Sequence, residues 1–350
     1  MIKKLCAALL AFAMLFSLTA CIGEKTPEIT EESTTSHVRE IKTKVASLNG
    51  ALGYGFMKLA KDRSYAYDVQ FYDDAEQIIS LLKSGEADVA SLPVEAAAKL
   101  YNETNGSIKI LAVNTLSDLH VVEYGTTVKS ISDLKGKTVY ATGKGTTTEY
   151  IINHILSENG INPEKDVKIE FIGTPEELAS MALKGEAKIC ILPEPYVSEI
   201  IVKTNPQEEE TTGETAATTA NPNAVKLRNA LHITSEWAEI CDAPLACGVV
   251  VARTDYITAN PEIITEFIGF NEVSVNYLTA GPETAALFLI DNGLFDNQGI
   301  AMGSLINSNT SYLEREEMKA AVSGVLDVLY SANPEIIGGA VPDENIYYNY

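Results

Sequence analysis

Short apolar runs alternate along the chain with stretches whose apolar positions recur every three or four residues. Lys44 to Leu48 reads as a buried strand, Asn49-Gly50-Ala51-Leu52-Gly53-Tyr54-Gly55 as a glycine turn, and a helix follows to about Lys61. Asp68 to Tyr72 is a second strand. Asp73 or Asp74 then caps a helix with Ile78, Leu81 and Leu82 on one face, and Ala87 to Leu92 is a third strand. Such alternation predicts an α/β fold with a parallel sheet.

The same order returns about one hundred residues later. Thr138 to Thr142 is a strand, Gly143-Lys144-Gly145 a turn, and Thr146 to Asn159 a helix with the apolar stripe Ile151, Ile152, Ile155 and Leu156. Thr146 and Glu149 have capping-box spacing. Val167 to Ile172 and Ala187 to Leu192 are strands around a helix that starts at Thr174 or Pro175. Gly185-Glu186-Ala187 and Leu192-Pro193 repeat Gly85-Glu86-Ala87 and Leu92-Pro93. Two similar α/β lobes in tandem are expected. Ile110 to Val113, His120 to Tyr124 and Gly248 to Ala252 add strands, and the remainder reads as helical: 261–279, 282–292 and 314–330, packing back on the first lobe. Asn205 to Asn223, rich in Thr and Glu, reads as a surface loop insertion.

The N-terminus changes the picture. Lys3 and Lys4 precede an apolar run from Leu5 to Ala20, too short for a membrane span and laid out like a secretory signal. Leu18-Thr19-Ala20-Cys21 resembles the lipobox of bacterial lipoproteins, which implies lipidation of Cys21 and attachment to the membrane through acyl chains. Residues 21–42 have almost no large apolar side chains and read as a flexible tether. The whole chain of 350 residues carries a formal charge of −22; without residues 1–20, 24 basic residues face 48 acidic ones, a charge of −24. Phosphate backbones are repelled by such a chain, so nucleic acid is excluded as a partner. Cys190, Cys241 and Cys247 match no zinc spacing and no dense disulfide framework, and a Cys241–Cys247 bridge is left open.

Leu134-Lys135-Gly136-Lys137-Thr138-Val139 before a glycine turn, in tandem lobes, resembles the type II periplasmic binding fold. Ala141-Thr142-Gly143-Lys144-Gly145, Leu192-Pro193-Glu194-Pro195 and Ala332-Asn333-Pro334-Glu335-Ile336-Ile337-Gly338-Gly339 are similar to solute-binding lipoproteins of ABC importers, in the nitrate/sulfonate/taurine/thiamine-precursor (NMT1-like) branch. The resemblance covers roughly residues 43–350. It implies a first lobe from residues 43–127 and 240–350, a second from residues 128–239, and hinge crossings near Ser130 and Ala238. It also implies delivery of solute to ABC permease subunits by a monomer held at the extracytoplasmic face of the cell membrane.

Ligands in such sheets lie beyond the carboxyl ends of the strands. The expected ligand-binding residues are therefore Asn49, Gly50, Tyr54, Asp73, Ser91 and Asn114 in the first lobe, and Lys144, Gly145, Thr146, Thr147, Glu194 and Tyr196 in the second. Asp73 competes for a plain capping role, and each glycine for a plain turn. Gly143 to Thr148 is no P-loop, yet its helix start and Lys144 could receive an anion. Against an anion stand Asp73, Asp74, Glu95, Glu149 and Glu194, so a neutral or weakly cationic heterocycle of thiamine or pyrimidine-precursor type is favoured, stacked between Tyr54 and Tyr196 with Glu194 as acceptor. The alternatives are a small-anion binder, or an enzyme or sensor on the same fold. His37, His120, His154 and His232 are far apart in sequence and accompany no nucleophile motif or metal spacing, so no enzyme, cofactor or metal is expected.

Overall fold

The computed structural model describes residues 42–205 and 226–349, within one compact unit spanning Arg39–Tyr350. The expected signal segment, Cys21, nearly all of the 21–42 tether and the 205–223 insertion apart from Asn205 lie outside the described residues.

The chain opens with β1 (Thr43–Leu48), α1 (Ala51–Asp62), β2 (Tyr67–Tyr72), α2 (Ala75–Ser84), β3 (Val89–Pro93), α3 (Val94–Glu103) and β4 (Ile108–Leu116). A second series follows: β5 (Leu119–Tyr124), β6 (Thr138–Ala141), α4 (Thr147–Glu158), β7 (Lys168–Phe171), α5 (Pro175–Leu183), β8 (Ile189–Pro193), α6 (Tyr196–Thr204), β9 (Leu227–His232) and α7 (Ile233–Ala238). It closes with β10 (Ala246–Arg253), α8 (Thr254–Ala259), α9 (Pro261–Ala280), α10 (Pro282–Asp291), α11 (Gln298–Asn307), β11 (Thr310–Leu313) and α12 (Arg315–Ala332).

Two sheets result. One is ordered β11-β4-β10-β3-β1-β2 and the other β7-β6-β8-β5-β9. The repeated βαβ runs pair in parallel, as the alternation predicts. The sheets depart from the expected parallel arrangement and lobe limits for one reason. The chain passes between sheets at Ser117–Asp118 without a crossover helix, so β5 enters the second sheet antiparallel to β8 and β9, and β10 returns antiparallel to β3 and β4. The first crossing therefore lies ten residues before the boundary expected at 127/128, and not near Ser130. The second runs from α7 to Leu245, around the expected Ala238. The segment read as wholly helical also contains β11, which adds to β4 as an antiparallel edge.

Local chemistry explains the first turn. Gly50 has φ +78°, which glycine adopts without strain, and a Cβ on Gly53 would meet the Leu48 carbonyl oxygen at 2.1 Å. Asp74, not Asp73, caps α2, accepting from the Glu76 amide at 3.0 Å.

The largest apolar cluster does not stop at either sheet: Leu92 and Val113 join Val121, Trp237, Ile151 and Val322. α9 packs on α1, as expected of helices returning to the first sheet. However, α12 lies against both α3 and α4, and α11 against α6, so the end of the chain also ties the two halves together. Trp237, on α7 in the second crossing, donates Nε1–H to the Ala243 carbonyl at 2.7 Å, and its ring lies 5.7 Å from that of His154 on α4. Cys190, Cys241 and Cys247 are free thiols. Among the described residues no helix is long and apolar enough to cross a membrane.

Candidate functional site

The turn after β1, the end of β2, the loop after α10 and the turn after β8 surround a cavity of about 610 Å³. Its wall is apolar and aromatic at Tyr54, Met57, Phe71, Leu294 and Phe295, polar at Asn49 and Asn292, and closed from the second sheet by Pro195. Lys61 is the charged residue on this lining. Volume and lining suit a small organic molecule.

Of the residues expected from sequence, Asn49, Gly50 and Tyr54 line this cavity. Asn49 is fixed by its side-chain amide, which donates to Asp73 at 2.7 Å, so Asp73 positions a wall residue. Tyr54 is buried: its hydroxyl shares a 3.0 Å hydrogen bond with Ser304, and its ring tilts against Phe295 at 5.9 Å. Burial raises its pKa, the bond to Ser304 lowers it, and the charges of Glu194 and Asp118 raise it further. Tyr196 is not on the cavity wall. It starts α6, packs into the core of the second sheet, and gives its hydroxyl to Glu176. The expected sandwich of Tyr54 and Tyr196 is thus not assembled, because the Tyr196 ring is held on its own sheet.

Ser91 and Asn114 are buried and spent on structure. Ser91 bonds Ser47 and accepts from the Leu48 amide, both at 3.0 Å, and Asn114 donates to the Leu52 carbonyl at 3.0 Å. The turn at 143–148 also differs from expectation. Thr146 turns its hydroxyl to the Gly143 carbonyl at 2.6 Å, and Glu149 takes the Gly145 amide at 2.6 Å, so the Thr146–Glu149 capping box is not made. An amide that an anion would need is already occupied by a carboxylate, and Lys144 is exposed. Thr147 lies at the start of α4, where its hydroxyl oxygen is buried without a well-formed hydrogen bond inside the protein.

Glu194 is the expected residue that the structure places most centrally. It is 4% exposed and accepts from the Ser198 hydroxyl at 3.0 Å, the Ser198 amide at 3.2 Å and the Asn307 side-chain amide at 2.9 Å. Burial raises its pKa against those three bonds. Asn307, at the end of α11, also accepts His120 Nε2 on its carbonyl at 3.0 Å. Two residues on, Asn309 donates to the Ser117 carbonyl at 2.6 Å and to the Thr234 hydroxyl at 3.2 Å. The turn between α11 and β11 therefore clasps both crossings and Glu194.

Sequence reasoning missed Asp118, in the first crossing. Its carbonyl accepts the Glu194 amide at 3.2 Å, and burial, with the Glu194 charge, lifts its carboxyl to about 7. Glu95, at the start of α3, is raised by burial against its own amide and the Thr147 hydroxyl of the facing half. Cys247 is raised by burial and by the charges of Asp118 and Glu95. Carboxyls from both halves thus lie near enough to act on Cys247 and Tyr54. Among the described residues no group of three His, Cys, Asp or Glu could hold a metal ion.

This architecture is that of periplasmic binding proteins. Residues 56–226 match a family model described as ABC transporter, phosphonate, periplasmic substrate-binding protein. An ABC transporter protein from Parabacteroides distasonis superimposes with a TM-score of 0.70 at 22% identity, covering 88% of this chain and 99% of that one. The periplasmic aliphatic sulphonate binding protein of Escherichia coli gives 0.63 at 14% identity, covering 87% and 94%. The ligand binding component of an ABC-type import system from Staphylococcus aureus, with zinc bound, gives 0.62 at 14%, covering 87% and 95%. No curated protein matches by sequence. Residues 56–226 are thus similar to a periplasmic substrate-binding family, and the chain as a whole has the periplasmic binding protein fold.

Proposed function

We propose that the protein captures a small nitrogen heterocycle, neutral or weakly cationic, in the cleft between its two sheets, and delivers it to an ABC permease as a monomer anchored through Cys21. The observation carrying this reading is the 610 Å³ cavity of mostly apolar wall backed by the buried carboxyls of Asp118 and Glu194. A flat, weakly polar ring fits such a wall, and its ring nitrogens or amino group find acceptors behind it. Solute touching both halves favours their closure over any open arrangement that the free protein samples.

A second reading, capture of a small organic anion, is supported by Lys61 on the cavity lining and by the sulphonate named for the Escherichia coli neighbour. The 143–148 turn argues against it at that end of the cleft, since Glu149 already holds the Gly145 amide.

A thermal-shift screen separates the two. A ligand at 100 times its dissociation constant stabilises the native state by about 2.7 kcal/mol. Stabilisation by pyrimidines or thiamine and not by alkanesulfonates or nitrate supports the first reading, and the reverse pattern the second. X-ray scattering profiles that superimpose with and without a saturating hit would refute closure.

A further inference from the structure

Asp118 occupies a singular place in the topology. It lies in the two-residue link between β4 of one sheet and β5 of the other, where Leu119 pairs with Pro193 at the end of β8. Ser117 donates its amide to the Leu245 carbonyl just before β10. The opposite face of that meeting point is the end of β3, where Pro93 pairs with Gly248. The carboxyl ends of β3 and β8 therefore meet beside Asp118, whose carbonyl holds the amide of Glu194, the residue before Pro195 of the cavity wall.

The residue is 9% exposed, and its carboxylate is held by its own amide, with no ion pair and no hydrogen bond from any other described residue. Its neighbours supply no counter-charge. The groups that sense its charge or act on it are Glu194 after β8, Tyr54 on α1 and Cys247 on β10, with Glu95 of α3 acting on the same cysteine. All of these are neutral or acidic. His120, on β5, is held neutral by its own burial. A buried carboxylate without a counter-charge is costly, and such groups cluster at functional sites.

We propose that Asp118 is the solute-recognising carboxyl of this cleft, taking a positively charged or proton-donating nitrogen of the ligand and thereby setting selectivity for cationic nitrogen compounds over anions. This rests on the reading of the cleft as the solute site. Glu194 differs in kind: its oxygens are already engaged by Ser198 and Asn307, whereas Asp118 takes no donor from another described residue. A ligand cation supplies the missing counter-charge, and both halves contribute to its surroundings.

The test uses the full-length protein, with thiamine and 4-aminopyrimidine as cationic and amino-heterocyclic probes and ethanesulfonate as the anionic one. The expected result is that a nitrogen probe binds wild type, that Asp118→Asn weakens it about tenfold or more, in line with loss of a charge-assisted contact, and that ethanesulfonate binds neither form better. Equal affinity of the probe for wild type and Asp118→Asn overturns the role of Asp118 while leaving solute capture intact. Binding of ethanesulfonate alone, or of no nitrogen probe, overturns the selectivity. Without any ligand, the thermal midpoint of Asp118→Asn at pH 8 should equal or exceed that of wild type, because an uncompensated carboxylate is removed. A fall of several degrees would mean that the protein itself partners this carboxylate, and would overturn the proposal whatever the probes do.

Discussion

His120 offers a test of the junction between the halves that needs no ligand. Its ring is fully buried, with Nε2 against the Asn307 carbonyl, Nδ1 against the Asn229 amide at 3.0 Å, and the His232 ring 4.7 Å away at 79°. Burial, reinforced by His232 and opposed by the Asn307 carbonyl, lowers its pKa from 6.5 to about 4. The unfolded chain binds a proton near pH 6.5 while the folded one does not until about pH 4, so this group withdraws stability as pH falls through that window. At about 1.4 kcal/mol per unit, the loss is on the order of 3 kcal/mol at pH 4. Asp118 acts in the opposite sense. Its folded pKa is raised from 3.8 to about 7, so its destabilising effect grows as pH rises through that range and vanishes below it. The wild-type profile hides both, and a difference profile separates them. Urea unfolding of wild type and His120→Gln should be followed from pH 7 to pH 4. The stability of the variant relative to wild type should rise by about 3 kcal/mol toward pH 4, on top of any constant cost from changed packing. A difference independent of pH would refute the reading of His120 as a neutral, desolvated imidazole at this junction.

Three further outcomes are expected. Asn307→Ala takes the amide from Glu194, leaves a buried carboxyl short of one donor, and should cost about 1–3 kcal/mol in chemical denaturation. Gly53→Ala drives a methyl group into the Leu48 carbonyl, 2.1 Å away; it should cost about 2 kcal/mol or more and weaken any ligand of the cavity, readable together in a thermal-shift titration. Arg228→Met removes the guanidinium that bonds Glu123 at 2.6 Å. Because Glu123 is 2% exposed but keeps Thr127 and the Val128 amide, the loss should be near 2 kcal/mol, measured by urea unfolding.

Much of the framework could be read from apolar spacing. Ile151, Ile152, Ile155 and Leu156, spaced for one helical face, are all buried on α4, and the strands at 44–48 and 68–72 pair as parallel neighbours. Period says nothing about which sheet a strand joins. The segment 120–124 reads as a strand, yet its place in the second sheet depends on partners at 189–193 and 227–232, far along the chain. The turn after β1 was legible because glycine marks it. Asp118 was not, since a lone acid between two strands carries no repeat, and its importance comes from burial without a counter-charge. The loop at 292–295 and the α11–β11 turn were hidden for a related reason: Phe295 and Asn307 matter only because the fold returns them to residues more than one hundred positions earlier.

Trp237 is the chain's one tryptophan, and it sits at the start of the second crossing, anchored to Ala243 and facing His154 of α4. An indole in that position is a built-in fluorophore. Any rearrangement of the crossing changes the distance to a quenching imidazole and the polarity around the ring, and no second indole contributes background emission. The protein thus carries its own optical gauge of this crossing, usable in stopped-flow experiments without a label.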